Sequence, residues 1–469
     1  MQTTLERQTD AGTGSRPAGA TTGGGGAAAR LHHVVIVGGG AGGLVLATRL
    51  GRTLGRRGEA RVTLIDASLT HVWKPLLHEV AAGTLDSHKD DVLYLGHAKT
   101  HGFSFQQGRM DGLDRAAKRI ALAPVLDREG REVIGRRSIG YDTLVVAVGG
   151  VCNDFGTPGV KEHCLFLDSH PQADQMQRRL LNACLRAQNR HGPLQEGQLH
   201  VAIIGAGATG VELAAELHNA TRQLVAYGLD RIDPERDIEI HLIEAAPTVL
   251  PALSKKLQEA TLAELKRLGV RVHAGERVVE VTDREVRMAS GLVVPAEIRV
   301  WSAGVKAPDW LANLDGLETN RANQLVVDQS LKTTRDEHVF AIGDCAACRL
   351  PGTTDRLVPP RAQAAYQQAM TMADTIRHRL RGEAPVPFAY KDYGSLVSLS
   401  YSSVGQLMGR LLGTVTLEGR LARLTYLSLY KKHQLALHGL VWVVLTTLIN
   451  LLRLRTEPRL KLHLDEEYR

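Results

Sequence analysis

The sequence predicts an α/β fold in which one strand–turn–helix–strand unit occurs twice. Three observations carry that expectation. First, the apolar run Val34–Val37 enters the glycine cluster Gly38–Gly43. Helix-spaced Leu44, Leu46, Ala47 and Leu50 follow, then RVTLID, a second apolar run closing on Asp66. Second, the same succession returns 167 residues on (205 − 38): His200–Ile204, the turn Gly205–Gly210, the helical opening Val211–Leu217, and Ile238–Glu244, again closing on an acid. Third, Tyr141–Gly150 reads as a buried strand ending in glycine, and Glu297–Trp301 and His338–Ile342 read as further short strands.

The remaining elements follow in chain order. Residues 1–30 carry Thr, Gly, Ala and Arg with no apolar stretch, so they read as a disordered tail without a secretory signal. The polar, Gly- and Pro-containing stretch 185–199 reads as a loop. Arg271–His273 and Arg277–Val281 are further strands, and a helix is expected from Pro360 through Arg379. Residues 393–427 mix both patterns, and Leu435–Leu452 is apolar without an acidic or basic chain other than His438. The expected domains are 31–165 with 320–390, a second domain inserted at 166–319, and a C-terminal region at 391–469.

With 469 residues, 43% hydrophobic and 23% charged, the chain can bury a large core, and fibrous and wholly disordered classes are excluded. The net charge of +7 is local. Residues 401–456 hold seven basic residues and one acid (7 − 1 = +6), and the near-neutral remainder argues against a nucleic-acid surface. Five scattered cysteines fit a reduced compartment. Cys345-Ala-Ala-Cys348 has no second Cys pair to complete a zinc site, so no metal is expected.

Chemistry is expected at the two glycine turns. Gly38, Gly40 and Gly43 fit G-x-G-x-x-G: a tight turn, a close approach to a pyrophosphate, and close helix–strand packing, with the helix dipole facing the phosphates. Asp66 stands where a carboxylate binds ribose hydroxyls. Gly205, Gly207 and Gly210 repeat the pattern with Glu244, which accepts from a 2′-hydroxyl and repels a 2′-phosphate, favouring NADH over NADPH. Two dinucleotide sites in one chain suggest a resident flavin beside an exchanging nicotinamide. Asp344, after the strand HVFAIG, suits a ribityl hydroxyl, although strand-end turns often carry an Asp.

The order GGGAGG, ID, YDTLVVAVGG, GAGATGVELAAEL, LIEAA, VFAIGDC and RAQAAYQQA resembles the two-dinucleotide flavoproteins with the disulfide-reductase-like fold. Within them it resembles type II NADH dehydrogenase, the single-subunit, non-proton-pumping NADH:quinone oxidoreductase of respiratory chains, over about residues 31–463. The resemblance implies FAD at Gly38, Gly40, Gly43, Asp66 and Asp344, with Lys74 and Gly149 close to it. It implies NADH at Gly205, Gly207, Gly210 and Glu244, with Glu212 near the nicotinamide. Glu212 also suits a helix first turn for its charge alone. Ala362-Gln363-Ala-Ala-Tyr-Gln367 is similar to the family's A-Q-x-A-x-Q quinone pattern; taken alone, such a glutamine pair is ordinary helix surface.

A quinone reductase must reach the bilayer. Leu435–Leu452, 18 residues, would be about 27 Å long as one helix, just under the roughly 20 residues that span a membrane. Flanked by Lys431, Lys432, Arg453 and Arg455, it reads first as an amphipathic helix on an anionic lipid surface, with spanning and core or dimer-interface helices as alternatives. His433 or a lysine beside it could protonate a quinol or simply anchor lipid. The resulting expectation is a peripheral protein on the cytoplasmic face of the inner membrane, with a homodimer conceivable. Two rival functions remain open: a sulfide:quinone oxidoreductase-like enzyme using Cys164 with Cys345 or Cys348, and a membrane-associated NADH sensor.

Overall fold

Val34–Val37 is buried at every position, as a central parallel strand requires. In the computed structural model, which describes residues 30–86, 91–353, 355–399, 402–409, 413–453 and 460, this run belongs to β1 (His32–Val37). The expected tail therefore lies outside the described residues except for Arg30. β1 is the middle of a five-stranded sheet with β2 (Ala60–Asp66) and β3 (Ser104–Gln107) on one side, and β4 (Thr143–Val146) and Val339–Ala341 on the other. Every pairing in it is parallel.

The second sheet repeats this plan. β5 (Leu165–Phe166) begins it, β6 (Val201–Ile204) is central, β7 (Ile240–Glu244) and β8 (Arg271–Ala274) lie on one side, and β9 (Ile298–Trp301) joins β6 to β5. All its pairings are parallel too. In both sheets chain order reverses beside the strand that enters the glycine turn, the place where open α/β sheets bind ligands. β10 (Val339–Ala341) completes the first sheet. Small antiparallel sheets interrupt each half, at Met110–Asp114, Arg119–Leu122 and Arg137–Gly140 and at Val278–Val281, Glu285–Met288 and Val293–Pro295.

The helices that position the sites are α1 (Gly43–Leu50), α2 (Leu77–Ala82), α3 (Tyr94–His101), α4 (His170–Gln188), α5 (Ala208–Ala226) and α6 (Ala362–Leu380). α4 corrects the sequence reading: its last turn occupies the start of the expected loop, which begins only at Asn189. Its buried Ala173, Met176, Leu180 and Ala187 have helical spacing hidden among Arg and Gln. After α6 an antiparallel meander, β11 (Gly394–Leu399), β12 (Ser402–Gly409) and β13 (Gly413–Glu418), leads to α7 (Gly419–His438) and α8 (Leu440–Arg453).

The apolar run Leu435–Leu452 is thus not one helix. Gly439, at φ +88°, sits in the left-handed region and separates α7 from α8. Among the described residues no helix is long and apolar enough to cross a membrane, which removes the spanning alternative for this run. Arg410 and Arg455, two of the seven expected cations, lie outside the described residues.

Candidate active site

The two glycine turns are built alike, bond for bond. Gly38 and Gly205 both have φ +103°, where a side chain would be strained. The Gly38 N–H donates to Ile65 O and the Gly205 N–H to Ile243 O, each at 2.8 Å, tying the turn to the acid-ending strand. A Cβ on Gly43 would lie 1.8 Å from Gly38 O, and one on Gly210 1.9 Å from Gly205 O, so helix and strand touch there. A Cβ on Gly40 or Gly207 would meet nothing within 4 Å. That open space beside a helix N-terminus fits a pyrophosphate at both turns.

The acids match as well. Asp66 accepts from the Gly39 N–H (2.6 Å) and the Ser68 N–H (2.8 Å). Glu244 accepts from the Ala206 N–H (2.7 Å) and the Ala246 N–H (2.8 Å). Each oxygen so held keeps a lone pair for a ribose hydroxyl. Burial raises Asp66 above the usual carboxylate range against the pull of the Gly39 N–H. Tyr94, absent from the sequence reading, buttresses the first turn: its hydroxyl donates to Gly39 O at 2.8 Å. Ser302 does the same at the second, reaching Ile204 O and Gly205 O at 3.0 Å each.

Beyond the first turn, Lys74, Gly149, Gly150 and Asp344 come together. Lys74 Nζ donates to Gly150 O (2.8 Å) and to Asp168 Oδ1 (3.2 Å). A Cβ on Gly150 would lie 3.2 Å from the Asp344 Cβ, whereas one on Gly149 would meet open space. Burial raises the Asp344 carboxyl and the Lys74 charge opposes it. A half-buried carboxyl beside an open glycine is a fit partner for a flavin's ribityl hydroxyls. Gln368, one residue past the glutamine pair singled out in the sequence, fixes this corner by accepting the Gly343 N–H at 2.6 Å.

Ala362, Gln363 and Gln367 open α6, and both amides are engaged with the segment leading to β11. Gln363 donates to Gly394 O (2.9 Å) and accepts the Tyr393 N–H (3.2 Å). Gln367 donates to Lys391 O (2.9 Å) and accepts the Lys391 N–H (3.0 Å). Between them, Tyr366 faces the Lys432 ammonium of α7, which also lies over Tyr393, at 5.8 and 5.3 Å. The quinone-pattern segment is therefore a junction where α6, the approach to β11 and α7 meet.

Glu212 is buried one turn into α5, under β11. It accepts the Ser398 N–H at 3.0 Å and lies 3.6 Å from His78 Nδ1 of α2. Burial pushes its carboxyl up to about 8, with Glu79 and Glu216 adding to the effect, while burial lowers His78 to about 4. Both groups are thus largely uncharged near neutrality.

His433 is buried, stacked on Trp73 at 3.9 Å and 3.0 Å from His71 Nε2. Burial first, then His71, His438 and His97, lower it to about 2, so its ring is neutral and not an imidazolium acid at neutral pH. It lines a cavity of about 280 Å³ between α3 and the C-terminal helices, together with His71, Trp73, His97, His438 and Trp442. The cysteines are reduced and mostly buried. Burial raises Cys164 and Cys345 to about 12 and Cys348 to about 11, far from the thiolates that sulfur chemistry needs.

A fold of two paired dinucleotide cradles with a flavin-fitting corner defines a nicotinamide-dependent flavoprotein oxidoreductase. The profile of the pyridine nucleotide-disulphide oxidoreductase family matches residues 32–369, well over half of the chain. The type II NADH:quinone oxidoreductase of Haemophilus influenzae is 43% identical over 436 residues, covering 90% of this chain and 98% of that protein. That of Staphylococcus aureus (strain bovine RF122 / ET3-1) is 31% identical over 382 residues, covering 78% of this chain and 88% of that protein. The chain belongs to the type II NADH:quinone oxidoreductases, within the pyridine nucleotide-disulphide oxidoreductase family. Solved structures share the fold. NDH2 from Plasmodium falciparum, in complex with NADH, has TM-score 0.78 at 19% identity, covering 92% of this chain and all of that one. The sulfide:quinone oxidoreductase from Aquifex aeolicus has TM-score 0.67 at 18% identity, covering 92% and 96%.

Proposed function

We propose that this chain carries its family's activity, electron transfer from NADH to a quinone, at a membrane surface. It is an FAD-dependent oxidoreductase, and the congruent pair of open glycine turns with their acids is the observation that supports this reading most directly. When bound, FAD supplies the two-electron redox chemistry that links the two substrates.

The chain's own residues bind and orient. Gly38, Gly40 and Gly43 with Asp66 hold the adenosine end of FAD, and Lys74, Gly149 and Asp344 hold its middle. Gly205, Gly207 and Gly210 with Glu244 hold NADH, the carboxylate disfavouring NADPH. Glu212, neutral under β11, closes the nicotinamide side without placing a charge there. Ala362, Gln363 and Gln367 form the quinone side, where the amides bond a carbonyl oxygen on exchanging their present partners at 391–394. The domain limits of 31–165 with 320–390 for FAD, and 166–319 for NADH, follow from these assignments.

Leu440, Val441, Trp442, Val444, Leu445, Leu448 and Ile449 of α8 are exposed, Val441 at 73%. An apolar helix face of this size, preceded in the chain by Lys431 and Lys432, suits a bilayer with anionic headgroups. Such docking puts the enzyme on the membrane face of the compartment that holds NADH, and turnover is expected to pump no protons. Steady-state NADH consumption by purified flavin-loaded protein with a short-chain quinone tests the reading. Turnover is expected with NADH and far less with NADPH; NADH consumption that does not depend on quinone contradicts it.

A further inference from the structure

The end of the second sheet opposite its glycine turn carries a cluster that neither dinucleotide site uses. His200 immediately precedes β6, and Glu239 and His241 flank the first residue of β7. Val201 pairs with Ile240 in parallel register, and the Val201 N–H donates to Glu239 O at 2.8 Å. Strand alternation then places side chains 200, 239 and 241 on one face. Glu244, at the other end of β7, is five residues from Glu239, or roughly 16 Å along the strand.

We propose that His200, Glu239 and His241 form a binding site for a divalent transition-metal cation of the zinc type. One Glu239 oxygen, Oε2, lies 3.2 Å from His241 Nε2 and 3.8 Å from His200 Nδ1. One donor atom from each residue lies within 4.8 Å of the other two. Ligands on a tetrahedral zinc, with bonds of about 2.0–2.1 Å, stand about 3.3 Å apart, so the observed spacings bracket that value. An ordinary hydrogen bond accounts for the His241 contact. It does not account for His200, because 3.8 Å is too long for one yet suits two ligands of one ion.

The other polar atoms of Glu239 and His241 are held by neighbours outside the cluster. Arg271 takes the other Glu239 oxygen, Oε1, at 2.6 Å. His241 Nδ1 lies 3.0 Å from His273 Nε2, and the two rings stack at 5.3 Å. A histidine whose second nitrogen is hydrogen-bonded is held in orientation and tautomer, as metal-bound histidines are. His241 is buried while His200 and Glu239 are half-buried, so a cation from solution reaches the site. Two imidazoles and one carboxylate select Zn(II)-type ions over Mg²⁺ or Ca²⁺ and leave a fourth position for water. The bound cation would clip the starts of β6 and β7 together.

Equilibrium dialysis of the tag-free, flavin-loaded chain against chelator-buffered Zn(II), with metal counted by atomic absorption, tests this. The chain is expected to bind about one zinc per protein at this site. His241→Ala and Glu239→Gln each weaken that binding at least about tenfold, and His273→Ala weakens it less. Zinc raises the melting temperature of the parent chain and not of Glu239→Gln, while His241→Ala and Glu239→Gln retain flavin and are bleached by NADH at the parent rate. Zinc bound equally by the parent, His241→Ala and Glu239→Gln overturns the proposal, because the metal then sits elsewhere, as at the histidine-lined cavity or Cys345–Cys348. No zinc above the chelator baseline in the parent overturns it equally.

Discussion

Alanine at the middle glycine of the second turn separates what the turn does for folding from what it does for a ligand. Gly207 has φ −71° and ψ −174°, extended backbone that any residue adopts, and a Cβ there meets no protein atom within 4 Å. Gly207→Ala should therefore leave the fold intact, or stabilise it by about 0.4–1 kcal/mol through the unfolded chain. The added methyl fills the space assigned to the NADH pyrophosphate. Displacing one charge-assisted N–H···O–P bond costs about 1.5–3 kcal/mol, roughly ten- to a hundred-fold in Kd. Gly210→Ala is the contrasting variant. Its Cβ would lie 1.9 Å from Gly205 O and 2.8 Å from Ser302 Oγ, so backbone must move, at a cost of about 1–3 kcal/mol or more. Thermal melting gives the stability of each variant, and stopped-flow bleaching against NADH concentration gives the affinity. The reasoning fails if Gly207→Ala binds NADH like the parent, or if it melts as early as Gly210→Ala.

Three further outcomes follow from the structure. Folding raises the Glu212 carboxyl from 4.5 to about 8, so the folded chain keeps a proton the unfolded chain has released. This contribution is full below pH 4.5 and is lost as pH rises toward 8, an effect on the order of 4 kcal/mol that Glu212→Gln should remove from the pH–stability curve; an unchanged curve counts against the buried-acid account. Replacing Cys164, Cys345 and Cys348 together by Ala should leave NADH:quinone turnover within about twofold in whatever protein retains flavin, since none is a thiolate; a turnover loss at full flavin occupancy would revive the sulfur-based alternative. Val441→Asp with Leu445→Asp, on the exposed face of α8, should abolish flotation with anionic vesicles while sparing turnover of a short-chain quinone. Unaltered flotation would assign that face to another contact, such as a second copy of the chain.

Both glycine turns were legible because everything that defines them is local. Strand, turn, helix opening and acid arrive within one βαβ stretch, and each glycine has a steric reason that a spacing pattern preserves. Asp66 and Glu244 stand out for the same reason, at the ends of apolar runs, and both are bonded to their turns. The supports were not legible, because they join residues far apart in sequence. Tyr94 reaches Gly39 across 55 residues, and Ser398 reaches Glu212 across 186. Nothing in PRAQAAYQQ distinguishes Gln368, which braces the Asp344 corner, from Gln363 and Gln367, which hold the segment before β11.

The C-terminal run misled for a different reason. Its composition fits one long apolar helix, and only a single left-handed residue, Gly439, divides it. His433, a candidate proton donor or lipid anchor in the sequence, is buried against His71 and Trp73, and that burial keeps its ring neutral. His200, Glu239, His241 and His273 span three strands, so their convergence is a product of parallel register and not of any motif.

The most direct test is an anaerobic spectrum of the purified chain, recorded before NADH, after it, and after a short-chain quinone follows. The account predicts an oxidised flavin band that NADH bleaches and quinone restores. Colourless protein, or a yellow band that NADH leaves unchanged, would contradict it.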